Sequence, residues 1–237
     1  MQHWDDPSKV KEQYASEANL RARQALWANV EGENGPIVLW RILSGLRPRK
    51  VLEVGGGQGE LAERMETELV ARVSFIDQSE RMVELARARG IEEAQVGDAQ
   101  ELPFPDARFD TVVAAWMLYH VHDIDRALGE AARVLEPGGR LVAVTNSVRH
   151  IEELRDLFGT ILPGYERQFN SENGEEILRR HFSSVERTDA EVVAVVDDRE
   201  TLVAYQRSLS YETPPLAEDV PLPFRVHGRA TVFVATR

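Results

Sequence analysis

The sequence predicts a doubly wound α/β fold: an open, mostly parallel seven-stranded sheet with helices on both faces, a terminal antiparallel strand, and N-terminal helices as a cap. Three observations predict it. From Lys50 to about Thr145, short and nearly continuous apolar runs alternate with amphipathic stretches, the pattern of parallel strands buried on both faces. A glycine cluster follows the first of these runs directly. Beyond Asn146 the order becomes helix, strand, helix, strand, which can close the same sheet.

Residues 1 to about 45 read as helices. Val10, Tyr14, Ala18, Leu20, Ala25 and Leu26 recur at helical spacing, and the apolar run Ile37 to Leu46 is opened by Gly35-Pro36 and ended by Arg47-Pro48. Val51 to Val54 is a strand, followed by the glycines and a helix through Leu61 and Met65 to Leu69. Val73 to Ile76 is a second strand, after which Ser79 is placed to cap a helix carrying Met82, Val83, Leu85 and Ala86. Gln95-Val96 and Phe109 to Ala115 are strands, Asp123 to Glu136 a helix, Pro137-Gly138-Gly139 a turn, and Leu141 to Val144 a strand. Helices follow at about 148–162 and 172–181, then a strand from Val185 to Val196 and a helix from Arg199 to Leu209 begun by Asp197-Asp198. A proline-rich connection through Pro214, Pro215, Pro221 and Pro223 leads to a last strand, Ala230 to Ala235. The 237 residues divide within one domain into a helical cap (1–45), a cofactor-binding core (46–146), a helical substrate-side insertion (147–181) and a sheet-completing segment (182–237).

Composition narrows the function classes. A formal charge of -12 repels phosphate backbones, and the basic residues are scattered, so no nucleic-acid partner is expected. No run approaches the roughly 18 apolar residues of a membrane span, and the opening MQHWDDPSKVKEQ lacks an apolar core, so a cytoplasmic protein is expected. With no Cys there is no disulfide, thiolate metal site or cysteine nucleophile. No metal site is expected, since Asp197-Asp198 reads as a helix start and lacks further converging oxygens.

In an open parallel sheet the ligand sits beyond the carboxyl ends of the strands, at the point where the strand order reverses. The first strand ends in Glu53-Val54-Gly55-Gly56-Gly57-Gln58-Gly59, whose glycines allow a tight turn and a close ligand approach. The second ends in Asp77, placed to accept hydrogen bonds from two ribose hydroxyls. Gly97-Asp98-Ala99 follows the third and offers a carboxylate and a backbone N–H suited to an adenine edge. A dinucleotide fingerprint needs a further glycine where Glu60 stands, and a glutamate at a helix start opposes a pyrophosphate. No Gly-Lys-Ser/Thr follows the loop, so a nucleoside triphosphate loop is excluded.

VLEVGGGQG at 51–59, FIDQSERMVELAR at 75–87, VGDAQELPF at 96–104, FDTVVAAWMLYHV at 109–121 and ARVLEPGGRLVAVT at 132–145 together resemble class I S-adenosylmethionine-dependent methyltransferases, in the branch that acts mainly on small molecules. The resemblance implies S-adenosylmethionine as cofactor and S-adenosylhomocysteine as product. It implies that Gly55, Gly57 and Gly59 line the methionine part, with Gln58 in the same turn and Glu53 supporting it. Asp77 would hold the ribose hydroxyls with Gln78 and Met82 beside the adenosine, Asp98 and Ala99 the adenine edge, and Ala115 and Trp116 would face the sulfonium. Tyr14 and Arg23, with Arg21 on the helical face of Tyr14, are placed to reach the cofactor carboxylate or the substrate. Gly56 departs from the family, many of whose members carry another residue there. Aminopropyltransferases share the glycine string but need an acid after the fourth strand, where Ala114-Ala115-Trp116 has none.

Methyl transfer from a sulfonium needs in-line approach, a dry site and, for a hydroxyl or ammonium nucleophile, removal of one proton. His120 is the first candidate base and His150 the second, with His122 and Tyr119 nearby; the alternative for His120 is a packed or capping imidazole. Phe158, Ile161, Leu162, Tyr165 and Phe169 suit an apolar or aromatic acceptor, or equally a sheet-packing or homodimer contact. The sequence thus points to methylation of an O or N atom, then a C atom, of a small organic molecule. A protein that binds the cofactor without turnover and an NAD-linked oxidoreductase are the alternatives.

Overall fold

A computed structural model describes residues 25–159, 168–209 and 213–237. Tyr14, Arg21 and Arg23, and Ile161, Leu162 and Tyr165 of the insertion, lie outside the described residues. The strands are β1 (Val30–Gly32), β2 (Lys50–Val54), β3 (Arg72–Asp77), β4 (Glu93–Val96), β5 (Phe109–Ala115), β6 (Leu135–Asn146), β7 (Ser184–Val196) and β8 (Phe224–Thr236). They form one eight-stranded sheet in the order β1-β7-β8-β6-β5-β2-β3-β4. Pairs β2–β3, β3–β4, β2–β5 and β5–β6 are parallel, whereas β8 is antiparallel to both β6 and β7. The chain moves outward from β2 through β3 to β4, then returns to the other side of β2 for β5 and β6, so the order reverses between β2 and β5.

Seven of the strands coincide with those the sequence predicts. The eighth, β1, lies in the stretch read as helical and pairs antiparallel with Val192 to Ala194 of β7. Three residues carry no readable period, and pairing to an existing edge decided their state. Similarly, β8 begins at Phe224 rather than Ala230, because its first six residues pair only with β7 and alternate buried Val226 and Gly228 with polar Arg225, His227 and Arg229. Pro137-Gly138-Gly139 forms its turn inside β6 at a register shift against β5, with Gly138 at φ 77°.

Helices α1 (Gly35–Leu46), α2 (Glu60–Glu68) and α3 (Glu80–Ala88) cover one sheet face, where Leu39, Leu43, Met65 and Val83 meet Val51, Val113 and Val142. Helices α4 (Ile124–Val134) and α6 (Gly174–Leu178) cover the other, meeting Leu52, Val112, Leu141 and Phe233. Alternate residues of β2, β5 and β6 serve the two cores, as strands buried on both faces require. Asn34 Oδ1 caps α1 by accepting from Ile37 N at 3.0 Å, and Arg47 ends it in the left-handed region before Pro48. No helix among the described residues is long and apolar enough to cross a membrane.

Above the parallel edge stands a third core. Because Ala230 pairs with both Asn146 and Ala190, β7 and β8 run on for six residues past the end of β6, about 20 Å at ~3.4 Å per residue. Helices α5 (Glu152–Leu157) and α7 (Arg199–Arg207) pack on this extension through Leu154, Leu202 and Tyr205, with Phe158 and Leu26. Asp198 Oδ1 caps α7 through Thr201 N at 2.8 Å, the helix start read from Asp197-Asp198. The described helices of the insertion are shorter than the sequence suggests: α5 ends at Leu157 and α6 at Leu178. Phe158 and Phe169 are buried in the protein's own cores and are unavailable for a dimer contact.

Phe233 ties the face that bears α6 to the sheet: it is fully buried, meets Phe169 edge-on at 6.0 Å, and leaves so little room that a Cβ on Gly174 would lie 2.7 Å from its ring. Phe233→Ala is expected to cost about 3–5 kcal/mol in urea unfolding. A loss under about 1 kcal/mol would show that this contact is dispensable.

Candidate functional site

The turn after β2 passes from Gly55 to Gly59 with Gly55, Gly57 and Gly59 at φ 64°, 58° and 77°, a region where a side chain is strained. Each glycine meets a different constraint. A Cβ on Gly55 would lie 2.9 Å from the Cβ of Met117, and one on Gly59 2.9 Å from the Cβ of Ala86, where α2 crosses α3. A Cβ on Gly57 meets nothing within 4 Å, so the turn is open on that side. At Gly56 a Cβ would be 2.4 Å from the Phe75 ring and 2.5 Å from Glu53 Cδ. The sequence marks Gly56 as a departure from the family pattern; here the packing beneath the turn leaves no room for a Cβ.

Glu53 explains that packing. Its side chain is buried on β2 beneath the turn, its carboxyl receives the Ala62 N–H of the first turn of α2, and Oε2 has no hydrogen-bond partner among the described residues. Burial pushes its pKa up to about 8, with Asp77 adding repulsion and the Ala62 N–H opposing. Near neutral pH the carboxyl holds its proton.

Asp77 closes the other side. Its Oδ2 accepts from Gly57 N at 3.1 Å and its Oδ1 from Ser79 N at 2.8 Å, so the carboxylate is braced by backbone on both oxygens. Burial raises its pKa while these two donors lower it. Each oxygen keeps a further lone pair for an incoming hydroxyl. Ser79 occupies the N-cap position of α3, but its side chain makes no capping hydrogen bond. Gln78 is exposed and Met82 half-buried on the first turn of α3. Beyond β4, Asp98 accepts from Gln100 N at 2.9 Å and from Gln100 Nε2 at 3.1 and 3.2 Å; the Gln100 Oε1 in turn accepts from Asp123 N. Ala99 is buried beside it. Gln100 is a partner that the sequence reading missed, two residues from the acid it orients.

Glu60 turns outward to Arg89 at 3.1 Å, and Arg89 also donates to Gln58 O at 2.9 Å.

Across the switch point, Ala115 ends β5 half-buried and Trp116 takes φ 53°, an outlier for a bulky residue. Trp116 N donates to Val144 O at 2.9 Å and its Nε1 to Asn146 Oδ1 at 3.0 Å. Its ring lies against Gly35 at the start of α1. It is Met117 that covers Gly55, a role invisible in sequence because a reversal of φ at Trp116 swaps the two side chains' directions. His120 lies in the 3-10 turn Leu118–His120, its ring 4.4 Å from that of Tyr119. His122 is exposed. His150 stands apart, at the junction of β6 and β8: its Nδ1 accepts from Arg229 N at 3.0 Å, and burial lowers its pKa to about 4. A lone pair committed to a backbone N–H and a pKa this low make it a poor base, which removes His150 from the candidates for proton removal.

A sulfonium nucleoside carrying a methionine tail fits this arrangement. The open side of Gly57 gives backbone access to the tail, the free lone pairs of Asp77 match a ribose diol, and Asp98 with Ala99 lies one strand further for the base.

The family model described as a methyltransferase domain matches residues 52–143. The chain is 41% identical over 110 residues to the 27-O-demethylrifamycin SV methyltransferase of Amycolatopsis mediterranei, covering 42% of this chain and 40% of that one. It is 31% identical over 180 residues to the ubiquinone/menaquinone biosynthesis C-methyltransferase UbiE of Vibrio parahaemolyticus, covering 71% of this chain and 67% of that one. The chain spans about half the length of most of the curated relatives it matches. Among solved structures, a Thermotoga maritima SAM-dependent methyltransferase described as a possible histamine N-methyltransferase superposes with TM-score 0.59 at 23% identity, over 96% of this chain and 98% of that one, which shows the shared fold.

The buried Glu53 yields a pH prediction. Its folded pKa near 8 exceeds the unfolded value of 4.5, so the folded state holds a proton that the unfolded state releases. Its contribution to stability is full below about pH 4.5 and is lost as pH rises through about 8. Glu53→Gln is expected to flatten the decline of melting temperature across this window. Parallel curves for variant and parent would show that Glu53 is ionised in the folded protein.

Proposed function

The chain belongs to the class I S-adenosylmethionine-dependent methyltransferase family, and we propose that it transfers a methyl group to an oxygen or nitrogen atom, or else a carbon, of a small organic molecule, leaving S-adenosylhomocysteine. The observation that carries the reading is the joining of the open glycine turn to the Asp77 carboxylate by the Gly57 N–H. When bound, the cofactor supplies a methyl group already activated by the sulfonium. Gly55, Gly57, Gln58 and Gly59 hold the tail, Glu53 supports them from beneath, and Asp77, Gln78 and Met82 hold the ribose side. Asp98 and Ala99 take the adenine edge, and Ala115 with the backbone of Trp116 borders the reacting centre. Tyr14 and Arg23 complete the cofactor set from the N-terminal cap. His120 removes the proton of a hydroxyl or ammonium acceptor. The segments 1–45, 46–146, 147–181 and 182–237 act as cap, cofactor core, substrate side and sheet completion of one domain.

The same proposal places the protein in the cytoplasm and gives it no nucleic-acid partner, the latter in keeping with its charge of -12. A homodimer is part of it only if formed by surfaces other than Phe158 and Phe169, which are buried.

Calorimetric titration with S-adenosylmethionine, S-adenosylhomocysteine and NAD tests the cofactor. Micromolar binding of the first two and none of NAD is expected, and Asp77→Ala should weaken the binding by about 1–3 kcal/mol. Binding of NAD alone would overturn the reading; unchanged affinity in folded Asp77→Ala would remove Asp77 from the site. Once an acceptor is found, His120→Ala is expected to lower turnover about 100-fold or more with cofactor affinity intact. Full activity would reduce His120 to packing.

A further inference from the structure

The nucleoside side of the crevice faces β3 and β4, so an acceptor approaching in line with the transferred methyl must come from the side of β5, β6 and β8. Two rings stand on that side without a task in the reaction above. Past Asn146, β8 has no strand on its β6 side, and the chain leaving β6 turns onto that open edge. Ser147 N donates to Arg229 O at 3.1 Å and Ile151 N to His227 O at 2.8 Å; between them Arg229 N donates to His150 Nδ1 at 3.0 Å. A ring nitrogen that accepts from an N–H carries no hydrogen itself, so in the neutral imidazole the hydrogen is on Nε2. That Nε2–H has no partner among the described residues.

The His150 ring stacks on Trp27, with centroids 6.1 Å apart and planes 25° from parallel. Trp27 is held by a missing side chain: a Cβ on Gly228 would lie 2.7 Å from its Cη2 and 2.8 Å from Val192 Cγ1. Two residues further along the same face of β8, Ala230 stands beside the Trp116 ring, both within 3.2 Å of a Cβ built on Gly35. Trp116 and the Trp27–His150 pair thus border positions two residues apart on one face of β8. The neighbouring carboxylates are already engaged, Glu153 with His227 at 2.5 Å and Glu152 with Arg149 and Arg229. A cationic acceptor would find no free carboxylate among them, whereas a neutral ring bearing oxygen meets a flat surface and a hydrogen-bond donor.

We propose that Trp27 and His150 seat the methyl acceptor, a neutral planar aromatic molecule whose ring lies along the stacked pair and whose oxygen accepts from His150 Nε2–H. The proposal rests on the methyltransferase reading and names its acceptor class. It makes His150 a positioning residue, not a base.

The test uses the full chain saturated with S-adenosylhomocysteine and titrated calorimetrically with 2-naphthol, naphthalene and cyclohexylamine. The parent protein is expected to bind 2-naphthol about tenfold more tightly than naphthalene, the worth of one hydrogen bond, and to leave cyclohexylamine unbound. His150→Phe keeps the ring and removes the donor, so the preference for 2-naphthol should vanish with naphthalene affinity unchanged. His150→Gln can satisfy Arg229 N–H but offers no ring, and Trp27→Leu removes the stacking partner; both should weaken the two naphthyl probes alike. S-adenosylhomocysteine affinity, equal in all variants, reports that each is folded. A 2-naphthol preference that survives His150→Phe, undiminished naphthyl binding in Trp27→Leu, or no 2-naphthol binding to the parent would overturn the proposal while the cofactor still binds. Loss of cofactor binding in the parent itself would instead overturn the methyltransferase reading.

Discussion

The crevice depends on one tight passage, the turn from Gly55 to Gly59 threading between Met117, Phe75, Glu53 and Ala86. The positive φ angles would be strained with side chains, and the three contacted glycines leave no space for a Cβ in any case. What holds the turn is backbone hydrogen bonding, from Gly55 N to Ile76 O at 2.8 Å, Gly59 N to Gly56 O at 3.1 Å and Gly57 N to Asp77 Oδ2 at 3.1 Å, with the Ala62 N–H on Glu53 from below. The parallel register of β2 with β3 places Val54 opposite Ile76, so the turn and Asp77 leave the sheet at the same level. Loosening any of these would move the others, because they share one small volume packed at interior density.

Two buried carboxyls in one region would repel if both ionised. Burial acts on both, yet Asp77 has two backbone donors and partial exposure, whereas Glu53 is sealed in with a single donor. Burial raises both, and it is less opposed at Glu53, which keeps a proton, than at Asp77, whose two oxygens each accept from a backbone N–H. Exposed Arg–Glu pairs elsewhere on the described surface, such as Arg64–Glu68 and Arg179–Glu175, are each worth little to stability.

The proposed acceptor side has a different origin. It exists because β7 and β8 outgrow the parallel sheet, giving α5 and α7 a surface to cover and the chain after β6 an open edge to pair with. The same edge binds His150 through Nδ1, which fixes the tautomer and turns a candidate base into a hydrogen-bond donor.

The sequence by itself determined the doubly wound class, the succession of seven strands along the chain and the strand-end residues Glu53, Gly55, Gly57, Gly59, Asp77 and Asp98, because apolar periodicity, glycine and helix-stop signals act over a few residues. It also carried enough collinear motif to identify the family. Tertiary structure alone decided that Val30–Gly32 joins the sheet, that Gly56 is obligatory, that Trp116 turns toward α1 while Met117 covers Gly55, and that Glu60 faces Arg89. Each of these depends on a partner 19 or more residues away in the chain or on a reversal of φ, and neither leaves a trace in local pattern. His150 shows the division most plainly: its identity was legible as a titratable ring, but its chemistry was set by one N–H of Arg229, 79 residues away.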